Sequence, residues 1–269
     1  MTDFLERVVA ERRADVAELR ANADLDGLRA RADAWPRERA RAFFRRSQSS
    51  SFGLSVIAEV KRVSPAAGLL NADVDPARQA FYYAAAGATA ISVLTEPRHW
   101  HGGLGDLAAV RRAVEVPVLA KDIVVDELQI LEARACGADL VLLIAEALDD
   151  ATLHRFVDVA RRLGMEALVE AHEPAAFGRA VRCGARFVGV NARDLRRPSV
   201  LDPGRVRQLH TFALAGQVLV AESGIASVDD ARLLPARVDA VLVGTSLMRA
   251  DDPAPLIRGI SSLKRTVPA

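Results

Sequence analysis

In this 269-residue chain, polar residues stand at or just after the carboxyl ends of six of eight short apolar segments. They are Glu59 and Lys61 after the first segment, Lys121 after the third, Glu170 after the fifth, Asn191 after the sixth, Glu222 after the seventh and Thr245 after the eighth. Any one of them could be a solvated loop residue. Because lysine and glutamate are rarely buried unless paired, their recurrence at segment ends indicates a shared site.

Two lysines and three glutamates that meet in a partly dehydrated mouth would form a set of groups for proton transfer. A lysine beside a carboxylate stays an ammonium that donates a proton or holds an anion, whereas desolvation favours the neutral amine. A glutamate among apolar walls can have its pKa raised and act as an acid or a base near neutral pH. Such a set suits condensation, isomerisation or decarboxylation of a sugar phosphate, and it requires neither a cofactor nor a metal.

Glycine and small hydroxyl residues follow the last two apolar segments, as Ser223-Gly224 and Gly244-Thr245. Glycine lets backbone N–H groups approach an anion, and a helix that begins there adds a partial positive charge. Either loop alone could simply be a tight turn. Together they predict that the amides of Gly224, Gly244 and Thr245 bind a phosphate group.

Other residues with chemical potential have simpler explanations. Asp122 and Asp194 follow segment ends, where an aspartate is as often a helix cap or a partner for arginine. His172 precedes a helix start, so we expect it to cap or to orient a neighbour. His99 and His101 lie in a glycine-rich loop without further ligands at metal-binding spacing, so we expect loop residues rather than zinc ligands.

The elements that must position these residues alternate along the chain. Apolar runs that are continuous rather than alternating are typical of strands buried on both faces of a parallel sheet. Eight such runs occur, at 54–61, 88–95, 116–121, 138–145, 165–170, 186–191, 217–222 and 238–244. Segments with helical spacing lie near 74–86, 104–114, 126–136, 149–163, 173–183, 203–211, 227–234 and 253–265.

Eight strand–helix units predict an α/β fold, a single (β/α)₈ TIM barrel over residues 51–269. A doubly wound open sheet is the alternative, but no glycine-rich dinucleotide fingerprint follows the first strand. In such a barrel the active site lies at the carboxyl ends of the strands, where the polar residues are.

Residues 1–50 differ from the rest and predict a helical extension that packs on the barrel. Apolar residues recur at helical spacing near the start of the chain, which favours an amphipathic helix. They are Phe4, Leu5, Val8, Val9, Val16 and Leu19. Residues 34–51 contain Pro36 and an SQSSS tract, so we expect a connector with little helix.

Composition excludes several classes of protein. The chain is 51% apolar and 26% charged, which argues against disorder and fibrous repeats. Its 36 cationic and 35 anionic residues give a net charge of +1, so neither nucleic acid nor an anionic membrane is an expected partner. Two cysteines, Cys136 and Cys183, and an N-terminus charged from its third residue favour a cytoplasmic protein without a secretory signal. We expect a monomer or weak dimer.

Eight motifs in order resemble the indole-3-glycerol phosphate synthase family, the tryptophan-pathway barrel. They are IAEVKRVSPAAG, ISVLTEP, VPVLAKD, ADLVLLIAEAL, ALVEAH, GVNARDL, VAESGI and VLVGTSLM. The resemblance covers about residues 52–250, and the N-terminal extension also looks like that family's extra helical segment. It implies that the small-molecule substrate is 1-(2-carboxyphenylamino)-1-deoxyribulose 5-phosphate, which undergoes ring closure, loss of carbon dioxide and loss of water.

The resemblance also implies roles for individual residues. Lys121 would be the general acid of ring closure, and Glu170 the acid or base of the dehydration. Asn191 would orient the sugar hydroxyls, and Lys61 would hold the substrate carboxylate or phosphate. The remaining residues would position these groups or bind the ligand; they are Glu59, Glu222, Ser64, Arg193 and Ser223.

The chain departs from the family pattern in two places. Ala120-Lys121-Asp122-Ile123 stands where the family usually has Arg-Lys-Asp-Phe, which changes the apolar wall expected against the anthranilate ring. The Ser-Pro loop continues with Ala66-Ala67-Gly68 instead of Ser-x-Gly or Ser-Lys-Gly, so a loop lysine is absent. We expect activity with a higher KM or slower turnover.

Three alternatives stay open at this point. A phosphoribosylanthranilate isomerase would need a Cys/Asp pair at strand ends, which is missing. A Schiff-base aldolase would form a covalent adduct on Lys121. A non-catalytic or divergent phosphate-binding barrel of the same family would bind the substrate without turning it over.

Overall fold

The computed structural model describes residues 3–49 and 53–264. Eight parallel strands form a closed barrel in which each strand pairs with its neighbours in the chain and the first pairs with the last. They are β1 (Ser55–Val60), β4 (Ala90–Leu94), β5 (Val118–Lys121), β6 (Leu140–Ile144), β7 (Glu166–Ala171), β8 (Phe187–Asn191), β9 (Val218–Glu222) and β10 (Ala240–Val243). The predicted (β/α)₈ barrel is confirmed. Each strand lies within its predicted run, except that β7 extends one residue beyond it at the carboxyl end.

Helices cover the outside of the barrel. They are α4 (Pro76–Ala85), α5 (Leu104–Ala113), α6 (Glu127–Ala135), α7 (Asp150–Arg162), α8 (Pro174–Arg182), α9 (Arg205–Leu209), α10 (Val228–Arg232), α11 (Thr245–Arg249) and α12 (Ala254–Ser261). Gly137 ends α6 with a φ of 91°, a left-handed conformation that glycine adopts without steric cost. Gly137 and Ala138 thus lead the chain from α6 towards β6.

Two small elements were not predicted. A two-stranded hairpin, β2 (Val63–Ser64) with β3 (Gly68–Leu69), follows the first barrel strand. Helix α11 is a single turn after the last strand. Both are too short to show a hydrophobic period.

The N-terminal extension contains three helices, α1 (Phe4–Asn22), α2 (Leu25–Asp33) and α3 (Arg39–Gln48). The expectation of a connector with little helix over residues 34–51 is therefore wrong for most of that segment. Helix α3 buries Ala40, Phe43 and Ser47 at helical spacing and leaves Arg41 and Arg45 exposed on the other side. The predicted boundary at residues 50 and 51 lies outside the described residues.

The extension packs against both ends of the barrel. Phe43 of α3 stacks on Phe187 at the start of β8, with ring centroids 5.3 Å apart. Leu5 and Val8 of α1 belong to the same apolar cluster as Ile144, at the carboxyl end of β6. Helix α3 thus closes the amino end of the barrel, and α1 lies beside the mouth. Within the described residues no helix is long and apolar enough to span a membrane.

Candidate active site

A pocket of about 460 Å³ opens at the carboxyl ends of the strands. All twelve residues predicted for the site line it. They are Glu59, Lys61, Ser64, Lys121, Glu170, Asn191, Arg193, Glu222, Ser223, Gly224, Gly244 and Thr245. The chain contains three lysines, and two of them face this pocket. Side chains that are up to 186 residues apart in the sequence are therefore brought to one mouth by the barrel.

Lys121 lies between two buried carboxylates. Its Nζ is 3.2 Å from Glu170 Oε2 and 3.0 Å from Glu222 Oε2, and both glutamates are about 1% exposed. Burial disfavours the charged amine, but Glu170, Glu222 and Glu59 outweigh it and raise the pKa of Lys121. Lys121 is therefore an ammonium group that can donate a proton at neutral pH.

Glu222 and Glu59 have pKa values that move in opposite directions. Burial and the neighbouring Glu170 raise the pKa of Glu222 well above its usual range, although Lys121 opposes this. Burial also penalises the charge of Glu59, but Lys61 and Lys121 hold its pKa below the usual range. Glu59 Oε1 is 2.7 Å from Lys61 Nζ. Glu59 is therefore a fixed anion, whereas Glu222 can take up a proton more easily.

Two glycines make room for these carboxylates. A Cβ at Gly189 of β8 would lie 2.1 Å from Glu222 Oε1, and a Cβ at Gly244 would lie 2.4 Å from Glu59 Oε1. Neither position accepts a larger residue without displacing a carboxylate. Gly244 was predicted for a different reason, as an amide donor, and Gly189 was missed because a glycine within a strand carries no signal of what passes above it.

Another part of the pocket is lined by the turns that follow β9 and β10. Ser223 and Gly224 both have left-handed backbones, with φ of 66° and 79°. A non-glycine residue adopts this conformation at a cost of about 1–3 kcal/mol, which the surrounding structure must offset. Ser223 Oγ donates to Asn191 Oδ1 over 2.9 Å, which holds the turn against β8. Helix α11 begins at Thr245, directly after Gly244.

Hydrogen bonds also hold the remaining polar residues of the pocket, Asn191, Arg193 and Ser64, in place. Asn191 Oδ1 accepts the Arg193 N–H at 2.9 Å, so its amide nitrogen is left as the donor on that side chain. The Arg193 guanidinium donates to the Pro198 carbonyl at 2.6 Å, and burial lowers its pKa. Ser64 is buried and accepts the Ala67 N–H at 3.3 Å.

The sequence motifs missed most of a wall of apolar side chains, of which only Ile123 was expected. Its members are Trp100, Ile123, Leu142, Ile144 and Leu195. They come from loops and strands whose apolar residues look alike in the sequence, so burial in the core and exposure to the pocket could not be told apart. Glu96 and Arg249 also line the pocket and were not singled out.

The residues given simpler explanations play supporting roles. Asp122 pairs with Arg12 of α1, with Nη2 and Oδ2 2.9 Å apart, and Asp194 pairs with Arg197 at 2.8 Å. His172 Nδ1 lies 2.9 Å from the Asn191 carbonyl oxygen, which fits an orienting role. His99 contacts Glu11 of α1 at 2.6 Å. Over residues 3–49 and 53–264, no group of three or more His, Cys, Asp or Glu side chains could hold a metal ion.

A family model described as indole-3-glycerol phosphate synthase matches residues 5–260 of the chain. The chain belongs to the indole-3-glycerol phosphate synthase family. The indole-3-glycerol phosphate synthase of a Nocardioides species is 47% identical over 97% of this chain and 98% of that protein. The synthase of Exiguobacterium sibiricum is 41% identical over 97% of this chain and 98% of its own length. The family resemblance is thus confirmed, and the chain is an enzyme of the synthase family.

Solved structures of other enzymes share the synthase fold. A thiamine phosphate pyrophosphorylase from Pyrococcus furiosus superposes with a TM-score of 0.57 at 18% identity, covering 80% of this chain and 95% of that chain. A 3-keto-L-gulonate-6-phosphate decarboxylase from Vibrio cholerae superposes with a TM-score of 0.60 at 14% identity, covering 77% of this chain and 95% of that chain. At these identities the likeness shows the barrel and says nothing of the reaction.

Proposed function

We propose that this synthase converts 1-(2-carboxyphenylamino)-1-deoxyribulose 5-phosphate to indole-3-glycerol phosphate, and that it is a carboxy-lyase of tryptophan biosynthesis. The observation that carries the proposal is the Lys121 ammonium group held between Glu170 and Glu222 at the pocket floor. Ring closure needs a proton donor at the sugar carbonyl, and this group supplies one without a metal or a cofactor.

The first chemical step forms a carbon–carbon bond. The ring carbon that bears the carboxylate attacks the sugar carbonyl carbon, and the carbonyl oxygen takes a proton from Lys121. The carbon–carboxylate bond then breaks, its electron pair returns to the ring, and carbon dioxide leaves. Lys61, which is paired with Glu59, would hold the substrate carboxylate or phosphate before this step.

The second chemical step removes water. The new hydroxyl group leaves with a proton, and the neighbouring carbon gives up a proton to form the indole double bond. Glu170 is the proposed acid or base for this step, because it lies beside Lys121 and can exchange a proton with it. Asn191 would orient the sugar hydroxyls with its remaining amide donor.

The phosphate would bind at the amide-rich part of the pocket. The left-handed turn at Ser223 and Gly224 and the start of α11 at Gly244 and Thr245 would supply the backbone N–H groups. Arg193 provides a cation next to this region. The aromatic ring would lie against the apolar wall, where Ile123 gives a narrower contact than the aromatic residue usual in the family.

Turnover of the carboxyphenylamino substrate, followed by indole fluorescence, tests the proposal. We expect K121A and E170Q to lose about 10²–10⁴-fold in kcat while they stay folded. The third lysine, Lys264, is exposed and distant from the pocket lining, so K264A is the matched control and should retain full activity. Wild-type protein that binds a reduced substrate analogue but never turns over the substrate would contradict the proposal and favour a binding barrel. Borohydride trapping on Lys121 would instead favour an aldolase.

The two cysteines, Cys136 and Cys183, are both free thiols. Free thiols persist in a reducing compartment, which supports a cytoplasmic location as part of the same proposal.

A further inference from the structure

Glu96 is a buried carboxylate at the rim of the pocket to which the proposed reaction assigns no role. It is the second residue after the end of β4, is 1% exposed and lines the pocket. Within the described residues it forms no ion pair within 4 Å. A buried carboxylate without a cation needs other groups that compensate its charge.

Three backbone N–H groups of the following loop compensate it. Glu96 Oε1 accepts the N–H of Arg98 at 3.0 Å. Glu96 Oε2 accepts those of His99 and Trp100 at 2.6 and 3.1 Å. The carbonyl oxygen of Glu96 also accepts the Gly102 N–H at 2.9 Å. The carboxylate therefore sits inside a ring of backbone that it holds together, which we call the Glu96 loop (residues 96–102).

The Glu96 loop has a conformation that the backbone does not favour by itself. His101 has a left-handed backbone with φ of 53°, which is unfavourable for a residue other than glycine. Gly102 passes so close to β4 that a Cβ there would lie 2.1 Å from the Leu94 carbonyl oxygen. Interactions from outside the backbone must hold this loop, and the Glu96 carboxylate provides three of them.

The Glu96 loop places Trp100 on the pocket wall. The Trp100 ring meets Phe4 of α1 edge to face, with centroids 5.9 Å apart, and the same side of the loop carries His99 against Glu11. The loop is therefore held on one side by contacts with α1 and on the other by the hydrogen bonds to the Glu96 carboxylate. A change in the loop would move the indole ring of Trp100 relative to the apolar wall.

We propose that Glu96 is a positioning residue for substrate binding, whose carboxylate holds Trp100 where the aromatic ring of the substrate packs. The identity of that substrate rests on the proposed function. Both carboxylate oxygens are engaged by loop N–H groups, so Glu96 acts through Trp100 and not by transferring a proton. Glutamine in its place presents an NH₂ group to the same donors and loses at least one of the bonds.

The test uses the fluorescence of Trp100 and the kinetics of E96Q. The chain has two tryptophans, so a W35F background leaves Trp100 as the only one. In that background and without substrate, we expect E96Q to shift the Trp100 emission to longer wavelength and to increase its quenching by acrylamide. With substrate, we expect KM to rise about ten-fold, as for the loss of roughly one charge-assisted hydrogen bond, with kcat within two-fold of wild type.

A second buried glutamate serves as the matched control. Glu166 is 6% exposed, pairs with Arg186 at 2.8 Å and lies at the amino end of β7, the end of the barrel away from the pocket. E166Q should change neither the Trp100 emission nor KM. In addition, W100L should raise KM to a similar extent, and the double variant E96Q/W100L should add no further increase.

Several outcomes would overturn the proposal. One is a folded E96Q whose Trp100 emission, quenching and KM all equal those of wild type. Another is a loss of kcat at unchanged KM and emission, which would assign a chemical role. If E96Q does not fold, E96D keeps the charge with a shorter reach, and wild-type values for E96D in both measurements would also overturn the proposal. The substrate-free fluorescence does not depend on the reaction, so its outcome is separate from a failure of the proposed function.

Discussion

At the scale of single residues, the mouth of this barrel shows how neighbours set the charge of chemically identical side chains. Glu59 and Glu222 are both fully buried, yet the pKa of one is lowered and that of the other is raised. The difference lies in their charged neighbours, because Lys61 and Lys121 both stabilise the Glu59 anion, whereas Glu222 shares Lys121 with the second carboxylate of Glu170. Fixed anions and proton carriers are thus made from the same residue type within one pocket.

The pKa of Lys121 leads to a prediction about pH dependence. Burial favours the neutral amine, and the carboxylates of Glu170, Glu222 and Glu59 overcome this preference. Replacing Glu222 by glutamine removes one carboxylate, so the pKa of Lys121 falls and the amine becomes neutral at a lower pH. In E222Q, the decrease of kcat/KM on the alkaline side should therefore begin at lower pH than in wild type. The pH profile of kcat/KM measures this shift, and an alkaline side that stays in place or moves to higher pH would exclude Lys121 as the proton donor.

The residue types of the site could be predicted from the sequence, but their pairing could not. Lysines and glutamates at strand ends were identifiable because they recur there, and such residues are rarely buried unless paired. The stagger of neighbouring strands in the closed barrel decides which groups pair. It brings Lys121 to Glu170 and Glu222, and Lys61 to Glu59. Gly189 gave no signal because its role depends on Glu222, which lies on the next strand. Glu96 gave none because its partners are backbone N–H groups of the following loop, which the residue types do not reveal.

At the scale of elements, helix α1 is tied to the end of β5 by a buried ion pair. Arg12 and Asp122 are 6% and 8% exposed, and Asp122 also accepts the Thr95 hydroxyl at 3.1 Å and the Ile123 N–H at 2.7 Å. Asp122 directly follows Lys121. The N-terminal extension is therefore connected to the strand end that carries the proposed proton donor.

Removing one partner of this ion pair should destabilise the protein in a pH-dependent way. R12M leaves the Asp122 carboxylate buried without its cation, which costs about 3–5 kcal/mol in the free energy of unfolding. Burial already raises the pKa of Asp122 above its usual 3.8, and loss of Arg12 raises it further. The folded variant then binds a proton that the unfolded chain releases, so its stability falls as pH rises above about 4.

Urea denaturation at pH 5 and pH 8 measures this effect. The exposed neighbour Arg13 provides the control, since R13M should change stability by no more than about 0.5 kcal/mol. An equal decrease in the free energy of unfolding for R12M and R13M would contradict the interpretation. So would a higher free energy of unfolding for R12M at pH 8 than at pH 5.

The elements that could be predicted are those with continuous apolar runs or a long helical spacing of apolar residues. The eight strands are continuous apolar runs, so their positions were evident from the sequence. Helix α3 was missed because its apolar face consists of few residues among arginines, and it is buried only because Phe187 lies at the amino end of the barrel. Its formation is decided by tertiary contact more than by local sequence.

At the scale of the whole molecule, the pocket and the buried ionic network around Asp139 lie at opposite ends of the barrel. The pocket lies at the carboxyl ends of the strands, and a buried ionic network lies at the amino end of β6. There Asp139 accepts Arg111 Nη1 at 2.7 Å and the Val118 N–H at 3.1 Å. Arg134 lies beside it and donates to the carbonyl oxygens of Trp35 and Pro36 at 2.8 and 2.9 Å, which anchors the extension.

This separation predicts that D139N changes stability without changing catalysis. The substitution leaves two buried arginines without their carboxylate, so the free energy of unfolding should fall by about 3–5 kcal/mol. The values of kcat and KM, measured where the variant is fully folded, should match those of wild type. A selective loss of kcat in folded D139N would show that the two ends of the barrel are coupled.

A crystal structure with bound indole-3-glycerol phosphate would show whether the proton-transfer groups and the phosphate site share one pocket. We expect the phosphate on the amides of Gly224, Gly244 and Thr245, the indole ring against Trp100 and Ile123, and Lys121 Nζ nearest the reacting carbons. A phosphate bound elsewhere, or a ligand whose ring lies away from Lys121 and Glu170, would contradict it.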